Sequence, residues 1–180
     1  MTRFQLISFE QTQAPVGVCA SISLLGERSL NVSWTLNKNL DKNLSVPGER
    51  KGFLWEQSVF EFFLKPSDQA CYFEIHLDPD LNWNVYRLSH YRSSLTETDM
   101  ILLENPVISS QNDKTTISVT LRLKGNHSFE KDKWTVFSPV IWKEDGKKWH
   151  FATAHPKDKP DFHDSKLYQA LRFKDKEIFS

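Results

Sequence analysis

VCASISLLGERSLNVSWTL, residues 18–36, alternates apolar and polar side chains on both sides of a short break. Val18, Ala20, Ile22 and Leu24 fall on one face, with Cys19, Ser21 and Ser23 on the other. After Gly26, Glu27 and Arg28 the pattern resumes with Leu30, Val32, Trp34 and Leu36 against Asn31, Ser33 and Thr35. Successive strand side chains point to opposite faces, so the stretch reads as a hairpin with one buried and one wet face. CYFEIHLD (71–78) and TTISVTLRL (115–123) repeat the alternation, setting Phe73, Ile75 and Leu77, then Ile117, Val119, Leu121 and Leu123, toward a core.

Two runs are apolar on both faces. VFEFFL (59–64) and WTVFSPVIW (134–142) read as central strands covered on both sides, with Pro139 marking a bulge or an edge in the second. Turn-forming clusters separate the runs: VPGER, KPSDQ, DPDLN, SSQNDK, KGNHS and KEDGKK. A helical period occurs only near KLYQALRF (166–173), where Leu167, Ala170 and Leu171 suit one or two turns. The rhythm predicts a single all-β domain over residues 1–180, an antiparallel β-sandwich with a short C-terminal helical turn; a closed barrel is the competitor. Its predicted core is Val32, Trp34, Phe60, Phe62, Phe73, Ile75, Ile117, Val119, Val136 and Ile141.

Composition narrows the function classes. The 180 residues carry 23 Lys+Arg against 23 Asp+Glu, which removes any global pull toward nucleic acid or anionic lipid. Six Trp and thirteen Phe exceed ordinary core needs only in part, since much of this aromatic content must be core. MTRFQLISFEQTQAP lacks the apolar stretch of an export signal, and no run approaches the ~18 apolar residues of a membrane span. Cys19 and Cys71 lie inside strand patterns and read as free thiols. The expectation is a cytoplasmic protein with neither a nucleic acid nor a membrane as partner.

Three segments carry candidate chemistry. Tyr72, Glu74, His76 and Asp78 share one strand face as a polar row about 7 Å apart, able to donate and accept toward a polyol. The plainer reading is a solvated outer face. Trp83, Asn84, Tyr86, His90, Tyr91 and Arg92 follow, placing aromatic rings beside amide and guanidinium donors, as sugar recognition requires. A core tryptophan is the alternative there. WHFATAHPKDKPDFHD (149–164) contains two Pro, three His and three Asp in sixteen residues. Pro156 and Pro160 forbid a sheet interior, so the segment must cross a sheet edge as a lid. Trp149 is expected to be buried, with His155, Asp161 and His163 converging near Glu61 or Glu74. Direct ligand contact, or metal binding by His155, Asp161 and His163, are the alternatives.

FLWEQSVFEFFLKP and CYFEIHLDPDLNWNVYRLSHYR, with Trp55 and Glu61 in the first, resemble the DOMON-like superfamily, in particular the cytoplasmic bacterial relatives of the family 9 carbohydrate-binding modules. The tail AHPKDKPDFHD resembles the end of such small proteins, and the likeness runs roughly from Val16 to Leu167. The resemblance implies a jelly-roll-like sandwich that binds a sugar or, in other branches, haem; related modules of family 9 hold calcium, so a structural calcium is the other cofactor it suggests. The expected role is therefore non-catalytic carbohydrate binding through Trp55, Glu61, Tyr72, Glu74, His76, Trp83, Asn84, Tyr86, Arg92, His155, Asp161 and His163. Haem would need an axial ligand from His76, His155 or His163, and no Met/His pair is evident. A carboxylate-dependent glycoside-acting enzyme using Glu61 and Glu74 is the third reading. No nucleophile elbow, P-loop or dinucleotide fingerprint occurs.

Overall fold

A computed structural model describes residues 1–10, 12–130 and 132–171. It contains fourteen strands: β1 (Thr2–Ser8), β2 (Val18–Gly26), β3 (Ser29–Leu36), β4 (Asn43–Leu44), β5 (Val59–Pro66), β6 (Tyr72–Leu77), β7 (Trp83–Leu88), β8 (Thr96–Glu97), β9 (Ile101–Gln111), β10 (Lys114–Leu123), β11 (Trp134–Phe137), β12 (Val140–Glu144), β13 (Lys147–Ala152) and β14 (Gln169–Ala170). They form one curled antiparallel sheet in the order β4-β9-β10-β3-β2-β1-β13-β12-β5-β6-β7-β8, with β11 bridging β5 and β14. The path begins at β4 and ends at β8, so the sheet is open rather than a closed barrel. No helix among the described residues is long and apolar enough to cross a membrane.

Hairpins impose the order. In β2–β3, Ala20 faces Trp34 and Ile22 faces Val32 across the ladder, so the alternating apolar residues land on one side. Asp145 and Gly146, at φ 49° and 73°, join β12 to β13 with both central residues left-handed, the geometry whose twist matches paired strands. β1 joins the halves: Thr2–Leu6 pair with β2, and Ile7 and Ser8 pair with β13. The main core lies between them and takes nine of the ten residues expected, from Val32 and Trp34 to Val136. Ile141 is buried as expected but belongs to a second, smaller core on the far side of β5, β6 and β7.

That second core explains the doubly apolar runs. Phe60, Phe62 and Leu64 of β5 enter the main core, while Val59 and Phe63 meet Tyr72, Phe137, Phe162 and Tyr168. Pro139 does break its run: β11 and β12 both pair with β5 but are separated at Ser138-Pro139, where the Pro139 carbonyl accepts from the Glu61 N–H at 3.0 Å. β6 corrects the sequence reading. It is buried on both faces, so the row Tyr72, Glu74, His76 and Asp78 is not a solvated outer face. Phe162, His163 and Tyr168, in the lid that follows β13, pack on this side beside Tyr72 and Glu74, and Trp55 stands against His76.

The C-terminal helical reading also gives way. A 3₁₀ turn spans Ser165–Leu167 only, capped by the Asp164 carboxylate accepting from Lys166 N–H at 3.0 Å. Gln169 and Ala170 then pair with β11, because that edge offers unmet ladder groups that an isolated turn cannot match. Residues 172 and 173 lie outside the described residues.

Candidate functional site

Strand register assembles the site. Glu61 of β5 faces His76 of β6, which faces Asn84 of β7; one step along, Phe63 faces Glu74, which faces Tyr86. All these side chains point to the lid side. Glu61, Glu74 and His76 are 3%, 5% and 0% exposed. His76 Nε2 lies 2.7 Å from Glu74 Oε1 and 3.5 Å from Glu61 Oε1. Glu74 Oε2 and His76 Nδ1 are buried without a hydrogen-bond partner.

Around this floor is a cavity of about 400 Å³, bordered by Trp55, Glu61, Phe63, Glu74, Arg92, Lys148, Phe162 and His163 among others. Trp55 stands on a 3₁₀ turn (Leu54–Glu56), edge-on to His76 at 5.6 Å and Tyr86 at 6.1 Å. The lid supplies His163, whose Nδ1 is 2.8 Å from Tyr72 Oη and 3.9 Å from Glu74 Oε2. Asp161 accepts from Tyr91 Oη at 2.6 Å, Arg92 Nη2 at 3.0 Å and the His163 N–H at 3.1 Å. This ties the loop after β7 to the lid.

The electrostatics follow from burial. Desolvation pushes the Glu61 carboxyl up to about 8; His76 opposes the shift and the Glu74 charge adds to it. Burial alone would depress His76, but the hydrogen bond to Glu74 and the Glu61 charge hold it above the ordinary imidazole range. Burial draws His163 below that range, outweighing the Glu74 charge, so its approach to Glu74 is not an ion pair at neutral pH. Burial lifts the Tyr72 hydroxyl to about 12, which keeps it a neutral partner for His163.

Of the residues singled out in the sequence, Trp55, Glu61, Glu74, Arg92 and His163 border the cavity. Tyr72, His76 and Tyr86 sit directly behind its wall, and Asp161 braces Arg92. Three residues depart. Trp83 lies on the opposite strand face, against the main core and under the Arg50 guanidinium at 5.1 Å, because its parity differs from that of Asn84 and Tyr86. Asn84 is fully buried, its amide committed to Lys51 O, Tyr86 Oη and Glu97, with its carbonyl accepting from Arg50 Nε and Val85 N–H. His155 turns away to the Ile7 carbonyl at 2.9 Å, between Phe9 and Phe162, so neither the expected convergence nor a His155–Asp161–His163 metal set forms. His90 is exposed, its ring paired with the Ser89 hydroxyl, while Asp78 caps the turn by accepting from Asp80 and Asn82. Trp149 is buried as expected. Lys148 and His150 were overlooked; both point cavity-ward from β13, at the parity opposite to Trp149 and Phe151.

Asp161 offers a direct check of the brace. Burial works against its ionised form, yet the Tyr91 hydroxyl, the Arg92 charge and the His163 N–H hold its pKa below the usual carboxylate range. A depressed folded pKa contributes stability above the unfolded value, about 3.9, and loses it as pH falls through the folded one. Asp161→Asn is expected to cost about 1–2 kcal/mol at pH 7, the low end because Arg92 is half-exposed and screened. Thermal melts should show this deficit shrinking below about pH 4; an equal deficit at pH 7 and pH 3 would assign the loss to packing.

No protein-family model matches the chain, and no curated protein matches it significantly. Solved structures do. A Bacteroides uniformis ATCC 8492 protein, provisionally described as carbohydrate-binding, superposes with TM-score 0.64 at 12% identity, over 93% of this chain and 84% of that one. A family 9 carbohydrate-binding module from Caldicellulosiruptor kristjanssonii, in complex with glucose, gives TM-score 0.50 at 11% identity, over 94% and 84%. At these identities the likeness is one of fold.

Proposed function

We propose that the protein is a non-catalytic binding module for a small carbohydrate, held in the cavity between Trp55 and the Glu61/Glu74 floor. The observation that carries this is a tryptophan bordering the same cavity as a buried carboxylate oxygen, Glu74 Oε2, that no protein group satisfies. A pyranose presents C–H groups to an aromatic ring and hydroxyl donors to such an acceptor. Lys148 and Arg92 supply donors at the wall. The volume falls in the range of small-ligand sites, roughly 300–1,000 Å³. The glucose-bound family 9 module and the Bacteroides protein, alike in fold, support the reading. The neighbours lend haem no support.

A panel of mono- and oligosaccharides, followed by tryptophan fluorescence and thermal shift, tests it. A ligand at 100 times its Kd should add about 2.7 kcal/mol of stability. The sugar should be recovered intact after prolonged incubation. Product that disappears in Glu61→Gln would instead support glycoside hydrolysis, for which two carboxylates in one cavity are the needed pair. No response to any sugar would remove the carbohydrate reading.

Phe53, whose ring packs on Trp55, gives a second check. It holds φ 59°, a strained value for a bulky residue, is 65% exposed, and sets its ring 5.3 Å from Trp55. Strain kept at an exposed aromatic is explained if the ring serves the ligand. Phe53→Gly should raise stability by about 0.5–1 kcal/mol, the strain relieved less the added chain entropy. Sugar affinity should fall about 3- to 10-fold with loss of the aromatic pair. A stabilised variant with unchanged affinity would exclude Phe53 from the rim.

A further inference from the structure

The cavity floor has a second property, independent of any sugar. Glu61, Glu74 and His76 each place one ligand atom within 4.8 Å of the other two. Among the described residues, the Glu61 carboxylate has no side-chain hydrogen bond closer than the 3.5 Å approach of His76. Glu74 Oε2, on a side chain 6% exposed, has none. Two carboxyl groups are thus withdrawn from water with one imidazole between them. In ionised form such groups are costly to bury unless a positive partner compensates them.

We propose that Glu61, Glu74 and His76 form an open site for a first-row divalent transition ion, zinc being the best match. One imidazole nitrogen with two carboxylate oxygens is a borderline donor set that suits zinc; calcium instead takes six to eight oxygens. With metal–ligand bonds of about 2.0–2.1 Å, tetrahedral ligand atoms lie about 3.3–3.4 Å apart. The 3.5 Å edge from His76 to Glu61 is close to that length, and the 2.7 Å edge to Glu74 opens by about 0.6–0.7 Å once the ion replaces the shared proton. The Glu61–Glu74 edge closes by turning a carboxylate about its broad terminal torsion. Both carboxylates border the cavity, so the remaining coordination position faces it and takes water or a ligand oxygen. His76 Nδ1 has no partner to lock the ring, and outer partners of that kind add 10- to 100-fold in affinity. The site is accordingly weaker than a structural zinc.

Chelator-treated full-length protein, titrated with cobalt(II) and then zinc(II) without any sugar, tests this. One cobalt per chain should give an intense visible d–d band that zinc displaces, with a rise in Tm. Glu61→Gln, Glu74→Gln and His76→Asn should each weaken zinc at least 10-fold, and Glu104→Gln should not. Glu61→Gln is isosteric at the cavity wall, so the test survives if His76→Asn fails to fold. Absence of the band overturns the proposal, as does a band that persists in all three variants. Either result leaves the sugar titrations to stand or fall by themselves.

Discussion

Trp55→Ala is expected to weaken sugar binding by about 2–4 kcal/mol, on the order of 30- to 1,000-fold, with a much smaller loss of stability. The ring is only partly buried and stands on a single 3₁₀ turn, closed by Glu56 N–H to Phe53 O and Gln57 N–H to Leu54 O, each at 3.0 Å. Neither bond involves the indole. What the indole does contact is the cavity side of the floor, edge-on to His76 and Tyr86. A rigid aromatic beside desolvated acceptors is the arrangement that concentrates binding energy in one residue. Trp83→Ala supplies the control, since that ring lies on the opposite face of β7. Isothermal titration of both variants with the same sugar decides the matter. Equal affinities in wild type and Trp55→Ala would move the binding site elsewhere; a loss confined to Trp83→Ala would place it across the sheet.

The contrast between those two tryptophans shows what the sequence could carry. Alternation in 18–36, 71–78 and 115–123 named the residues that share a face, and the main core follows it from Val18 to Leu123. The same rule separates Trp83 from Asn84 and Tyr86, and sets Lys148 and His150 opposite Trp149; parity held that information before any coordinates did. What covers a face is a different matter. The row Tyr72, Glu74 and His76 has the look of a wet surface, yet Phe162, His163 and Tyr168, some 90 residues later in the chain, pack beside Tyr72 and Glu74, and Trp55 stands against His76. No period links segments so far apart. The lid itself has no period either, so Pro156 and Pro160 showed that it must leave the sheet but not which histidine would reach Glu74. His163 does, anchored by Tyr72; His155 is drawn off to the carbonyl of Ile7 on β1.

The largest loss of stability is expected from Trp34→Ala, about 3–5 kcal/mol. Trp34 is fully buried on β3, flanked across the ladders by Ala20 and Ile117. Its ring reaches over the main core to Phe60 at 5.5 Å, and its Nε1 donates to Ser138 Oγ at 2.8 Å. One side chain therefore fills the core and satisfies a buried hydroxyl at the break between β11 and β12. Alanine leaves a cavity and an unpaired Ser138; phenylalanine keeps most of the volume and loses only the hydrogen bond, for about 1–2 kcal/mol. For a chain of this size the alanine variant should melt roughly 6–20 °C lower. The break is also where the Pro139 carbonyl holds the backbone N–H of Glu61. Trp34→Phe, still folded, should thus loosen the cavity floor from behind and weaken sugar binding several-fold, although Trp34 touches no part of the cavity. Urea denaturation and sugar titration on the same sample separate the two effects. A phenylalanine variant that loses stability but binds at full strength would show that β5 is fixed by its ladder with β6 alone, and that the Ser138-Pro139 break plays no part in placing Glu61.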